Sequence, residues 1–91
     1  MAVFFTPLAA QENAGTTSGA ASDVGNAQVV LVSNSGATAY LVTLLEQGTT
    51  DVKGSFTLAG NNMVFIHKGK FEKIFAGNAA IKLTKCSFPR G

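Results

Sequence analysis

The chain has 91 residues, of which 46% are apolar, 13% are charged and 10 are glycine, with a net charge of +2. This is the length of one domain, and a chain this short buries only roughly 60–65% of its unfolded surface, so its core is marginal unless partners add to it. The low hydrophobicity and high net charge of disordered chains are both absent, and no run approaches the about 18 consecutive apolar residues of a membrane span. Charge is unevenly placed. Residues 1–50 carry Glu12, Asp23 and Glu46 and no Lys or Arg, a net −3; residues 51–91 carry seven cations against Asp51 and Glu72, a net +5. Such asymmetry suits a nucleic-acid partner or head-to-tail association of identical subunits. The lone Cys86 cannot form an intramolecular disulfide, which excludes a secreted disulfide scaffold.

Residues 1–26 read as an arm. Val3-Phe4-Phe5 is a short apolar knot closed by Pro7, and Leu8–Asn26 is built from Ala, Gly, Ser, Thr, Asn and Gln with only Leu8 and Val24 as larger aliphatics. A signal peptide needs a basic start and a longer unbroken apolar run, which Pro7 interrupts. Leu8–Ala14 is long enough for one or two helical turns, too few to hold alone in water. Fully extended, Leu8–Asn26 spans on the order of 60–70 Å. Two readings follow: an arm that reaches a neighbouring subunit and orders only in an assembly, or one whose tip folds back on its own core.

From Ala27 onward the pattern is β. The expected strands are Ala27–Ser33, Ala39–Glu46, Val52–Leu58, Met63–Lys68, Phe71–Ala76 and Ala80–Phe88. Turn chemistry separates them at Asn34-Ser35-Gly36, Gln47–Asp51, Ala59–Asn62, Gly69-Lys70 and Gly77-Asn78. Six short runs spaced this way predict an all-β fold: a small antiparallel sandwich or barrel over 27–91, preceded by an extended N-terminal arm. A buried helix competes for Tyr40–Leu45, but Val42, Thr43 and the flanking turns favour a strand.

A sheet with one wet face alternates apolar with polar residues. Here Val29-Val30-Leu31-Val32, Tyr40-Leu41-Val42-Thr43-Leu44-Leu45 and Met63-Val64-Phe65-Ile66 put large apolar groups on both faces. The surplus faces are expected to meet the arm, a second copy or a larger partner.

Little in the chain proposes catalysis. One His and one Cys cannot complete a structural zinc set, and a Ser or Cys nucleophile with His67 as base lacks the usual sharp turn around it. The five carboxylates are scattered, and Gly69-Lys70 lacks the surroundings of a phosphate-binding loop. No cofactor, metal site or catalytic residue is therefore expected. The tail interleaves Lys68, Lys70, Lys73, Lys82, Lys85 and Arg90 with Phe71, Phe75 and Phe88, as a single-strand-binding barrel does. Against this, Phe71 and Phe75 share one strand face by spacing, the lysines blunt an edge strand equally well, and +2 is a small charge for a dedicated binder. A glycan-binding module meets a shortage of platforms, with no Trp and one Tyr.

The chain resembles small structural proteins of tailed-bacteriophage virions that decorate or cement capsids. The likeness lies in Met1-Ala2-Val3-Phe4-Phe5-Thr6-Pro7-Leu8 with the Ser/Thr/Ala/Gly arm behind it, in Val30-Leu31-Val32-Ser33-Asn34-Ser35-Gly36, in Gly54-Ser55-Phe56-Thr57-Leu58-Ala59-Gly60, and in Lys73-Ile74-Phe75-Ala76-Gly77. The resemblance implies a noncatalytic β module in the virion, assembled in the host cytoplasm, that binds the major capsid protein or other virion proteins. A homo-oligomer is expected, without nucleic acid or membrane. A head–tail or tail component is the nearest alternative, and a single-stranded nucleic-acid-binding barrel the other. Partner contacts are expected from Val3, Phe4, Phe5 and Leu8 in the arm and from Tyr40, Val42, Leu44, Phe65, Phe71 and Phe75. Electrostatic contacts with acidic neighbours are expected from Lys68, Lys70, Lys73 and Arg90.

Overall fold

Apolar β-branched runs broken by Gly, Asn and Ser turns give strands too short to be stable alone, so they pair and then stack. A computed structural model describes residues 6–87. In it the strands form two antiparallel sheets packed as a sandwich. The larger sheet contains β1 (Thr6–Pro7), β2 (Glu12–Asn13), β3 (Val29–Asn34), β6 (Met63–His67) and β8 (Ile81–Ser87), ordered β1-β8-β3-β6 with β2 also on β8. The smaller contains β4 (Tyr40–Leu45), β5 (Val52–Leu58) and β7 (Lys73–Ala76), ordered β5-β4-β7. The six expected strands all form. β7 starts two residues later than expected because Phe71 and Glu72 belong to the preceding turn, where Glu72 N–H donates to the Gly69 carbonyl at 3.2 Å.

The connections β3–β4, β5–β6 and β7–β8 each step from one sheet to the other, and the register brings all three to the same end. Asn34 ties the first two together. It is 3% exposed, and its amide nitrogen donates to the Thr38 carbonyl at 2.7 Å and the Leu58 carbonyl at 3.1 Å, while Oδ1 accepts the Gly36 N–H at 3.0 Å. Asn61 N–H donates to the Gly36 carbonyl, and Ser35 N–H to that of Ala80. Gly60 passes so close to Ala37 that a Cβ there would overlap its backbone carbonyl.

At the opposite end, residues 68–72 cross from β6 to β7, hence from one sheet to the other. Lys68 N–H donates to the Gln28 carbonyl at 2.9 Å. The Glu72 carboxylate accepts the Gly69 N–H and pairs with Lys53 on β5. A single side chain thus closes the crossing turn and pins it to the smaller sheet.

The arm is extended, but along its own domain. Leu8 N–H donates to the Lys85 carbonyl and Ala14 N–H to that of Ile81, both on β8. The chain then passes to β7, where Gly15 accepts the Ala76 N–H and Ser22 exchanges two backbone bonds with Ile74. The arm's tip, Val3-Phe4-Phe5, on which its two readings differ, lies outside the described residues; no helix forms over 8–14, and a single 3-10 turn occupies Ser18–Ala20. The entry to β3 is a left-handed turn with Val24, Gly25 and Asn26 at φ +55°, +64° and +60°. A β-branched residue there is strained. The conformation holds because Val24 is buried, Asp23 accepts from the Gly25 and Asn26 N–H groups, and Lys85 Nζ donates to the Gly25 carbonyl.

One contiguous apolar cluster fills the space between the sheets, with Val30, Val32, Ile81 and Leu83 from the larger, Val42 and Ile74 from the smaller, and Ala14 and Val24 from the arm. The only other polar or charged residues buried with Asn34, among those described, are Thr43, Lys68 and Glu72. Asn34→Ala removes three hydrogen bonds and leaves two carbonyls without that donor, so it is expected to cost about 2–4 kcal/mol in urea unfolding. A loss below about 0.5 kcal/mol, the level of an ordinary surface change, would show that Asn34 is not the tie.

Candidate functional site

Surplus apolar residues must lie on the outer faces or at the edges of a two-layer fold. The register sorts them. On β3 the inward residues are Val30 and Val32, so Val29, Leu31 and Ser33 face outward. Leu31 stands opposite Phe65 on β6 and Thr84 on β8, Ser33 opposite Met63 and Lys82, and Val29 opposite His67 and Cys86. The outer face of the larger sheet thus carries an apolar patch of Val29, Leu31, Met63 and Phe65, with Cys86 beside Val29. Met63 is 64% exposed; Val29, Leu31 and Phe65 are half-buried by their neighbours. Lys82 bounds the patch, its Nζ donating to Asn13 Oδ1 at 2.6 Å and to the Ala79 carbonyl at 2.9 Å.

The smaller sheet presents a second, more polar face. Thr43 stands between Ser55 and Phe75, and Leu41 beside Thr57, with Lys73 following Phe75 on the same face. Leu41 is half exposed, as is Phe71 in the turn before β7.

The expected contact residues therefore separate. Phe65 and Phe75 lie on opposite outer faces. Tyr40, Val42 and Leu44 point inward, and this corrects their assignment as contacts: Val42 is in the core, and Tyr40 and Leu44 pack against it. Both phases of β4 are apolar, so alternation alone does not say which is outside. The hydroxyl of Thr43 was the available signal, since it puts Leu41 in the outer phase. Leu8 is exposed beside β8, while Val3, Phe4, Phe5 and Arg90 lie outside the described residues. Phe71 is not on the β7 face, because β7 begins at Lys73.

The cations separate too. Lys70 and Lys73 are exposed. Lys68 is buried and turns its Nζ onto its own loop, donating to the Gly69 carbonyl at 3.0 Å and more weakly to that of Lys70. This corrects its assignment as a surface charge. Burial lowers its pKa, and the charges of Asp23 and Glu72 act against that. Lys73 does not guard a free edge, since the outer edge of β7 is bonded by Gly15 and Ser22.

The described residues form no pocket and no group of three potential metal ligands. No helix of the described residues is long and apolar enough to cross a membrane. No family model matches the chain, and no curated protein or solved structure is detectably similar.

Two titrations follow. Burial pushes the Cys86 thiol up, with the backbone at Leu31 acting against it, so the thiol is protonated at neutral pH. Iodoacetamide is expected to label it at least about 100-fold more slowly in the native chain than in urea; equal rates would place the thiol at the surface. The Lys53 hydrogen bond, followed by the Gly69 N–H, lowers the Glu72 pKa below 4.5. A depressed acid stabilises above its unfolded pKa, and that contribution is lost as pH falls through the folded one. Below about pH 4.5 wild type should therefore lose stability more steeply than Glu72→Gln in urea titrations. Parallel curves would remove Glu72 from that role.

Proposed function

We propose that this chain is a noncatalytic structural protein of a tailed-phage virion, a capsid decoration or cement protein that binds the assembled shell. The virion assignment rests on the sequence resemblance. The mode of binding rests on one observation: Val29, Leu31, Met63 and Phe65 share an outer sheet face, with Leu31 directly opposite Phe65. Contiguous apolar surface of this kind marks an interaction site. An apolar sheet face of this kind suits a protein partner better than a small molecule, which binds in a cleft. A head–tail or tail position is the nearest variant, served by the same face.

In this role the chain gains stability from its partner by mass action, which offsets the weakness of a small core. Lys70 and Lys73 are left to meet acidic neighbours and to set the rate of encounter more than the affinity. The test uses purified virions. The chain should be present there in many copies, and after stripping it should rebind the shell. Leu31→Lys should lower that retention at least about tenfold while leaving the far-UV spectrum unchanged, because it charges the centre of the patch. Absence of the chain from virions contradicts the assignment. Undiminished retention of Leu31→Lys contradicts the choice of face.

A further inference from the structure

A free edge strand offers a row of unpaired N–H and C=O groups to any strand that can lie beside it. Among the described residues β5 pairs with β4 alone, and the direction of its backbone groups follows from the ladder. Gly77 N–H donates to the Leu41 carbonyl, so Leu41 and Thr43 turn their backbone groups toward β7, and Tyr40, Val42 and Leu44 turn theirs toward β5. Their partners Leu58, Phe56 and Gly54 therefore bond to β4, and Ser55 and Thr57 point their N–H and C=O groups away from it. The ladder shifts register between Leu44 and Leu45, which leaves residues 54–58 as the regular stretch. That stretch holds no Pro, Lys, Arg, Asp or Glu. The one charged residue of β5, Lys53, is paired with Glu72. Ser55 and Thr57 are exposed and Phe56 is half-buried, and at Gly54 a Cβ would meet nothing within 4 Å.

We propose that residues 54–58 of β5 pair antiparallel with the same residues of a second copy, about a two-fold axis at Phe56 perpendicular to the smaller sheet. Ser55 then stands opposite the partner's Thr57, and Thr57 opposite the partner's Ser55, so the outward residues of the two strands exchange four backbone hydrogen bonds. The two Phe56 rings meet at the axis, where the open space at Gly54 leaves room for them, and a cross-strand aromatic pair adds to the contact. The occupant follows from charge and symmetry. No charged residue of the stretch meets its own image, and a foreign strand could meet the same backbone groups but only a second copy sets Ser55 against Thr57. The pairing joins two three-stranded sheets into one of six strands, and the two-fold closes it at a dimer. Five paired residues cover on the order of 300–400 Å² per partner, against ~800 Å² for a standard interface, so the dimer is a weak one with a Kd of about 100 µM. The contact uses no backbone group of β6 and does not depend on the virion assignment.

Sedimentation and cross-linking of the full chain test it. At about 500 µM, wild type should show a weight-average mass at least about 1.5 times that of the monomer, as a Kd of about 100 µM requires. Ser55→Lys with Thr57→Lys, both at exposed positions, sets lysine against lysine and should weaken association at least about tenfold with an unchanged far-UV spectrum. The register has its own readout. A mixture of Ser55→Cys and Thr57→Cys chains places thiols on paired residues about 5.5 Å apart at Cα, within disulfide reach, whereas either variant alone sets them about two positions apart along the strand. Under mild oxidation the mixture should form the mixed disulfide dimer at least about tenfold faster than either variant forms its own. A wild-type monomer at that concentration overturns the proposal. So does a double-lysine variant that associates as tightly as wild type, or a mixture that cross-links no faster than its components.

Discussion

The backbone hydrogen bonds between residues 8–22 and the strands β8 and β7 are the constraint on which the rest of this structure depends. Two small sheets need more than a shared core; their edges must be satisfied or shielded, and a chain of 91 residues has little to spare for that. The N-terminal segment does it for one side of the sandwich, with N–H groups of Leu8, Ala14 and Ser22 donating to the edge strands, and with Ile74 and Ala76 donating back. It also adds Ala14 and Val24 to the core. The strained left-handed turn at Val24–Asn26 is tolerated in this setting, because it turns the segment into β3 while keeping Val24 buried.

The ends of the sandwich follow a different logic. One end joins the sheets through uncharged loops gathered by Asn34, whose amide spends both donors and its carbonyl on backbone groups of the crossings. The other carries Lys68 and Glu72, both buried and both turned onto the loop that crosses between sheets. Polar groups inside a small apolar core are costly unless bonded. Among the described residues none is left without a partner. The charges that a sequence reading assigns to the surface are in part structural, and the net charge open to a partner is correspondingly small.

Much of the fold was legible in the sequence. Six β runs separated by Asn, Gly and Ser turns specify an antiparallel sandwich or barrel, and Val52–Leu58 has the bounds read from pattern alone. The short strands β1 and β2 were not legible, because their pairing partners lie about 80 and about 70 residues away along the chain and their composition is that of a linker. The phase of β4 was hidden by apolar residues in both registers, so Tyr40, Val42 and Leu44 read as contacts although they face the core. Lys68 read as surface charge because no local pattern announces a lysine turned onto its own loop. The excess of apolar residues over what one core needs was legible, and part of it lies on the outer face of the larger sheet. The described part of the arm lies along β8 and β7 instead.

Residue-resolved amide exchange of the dilute full chain tests the central claim, that the N-terminal segment seals the β7 edge of the sandwich while β5, among the described residues, pairs with β4 alone. At concentrations too low for association, the Ile74 and Ala76 amides, which bond to Ser22 and Gly15, should exchange with the slow core of β8. The amides of β5 that point away from β4 should exchange within the fastest class of strand residues. Rapid exchange at Ile74 and Ala76, equal to that of the β5 edge, would mean that the segment does not hold the side it covers, and the account would fail there.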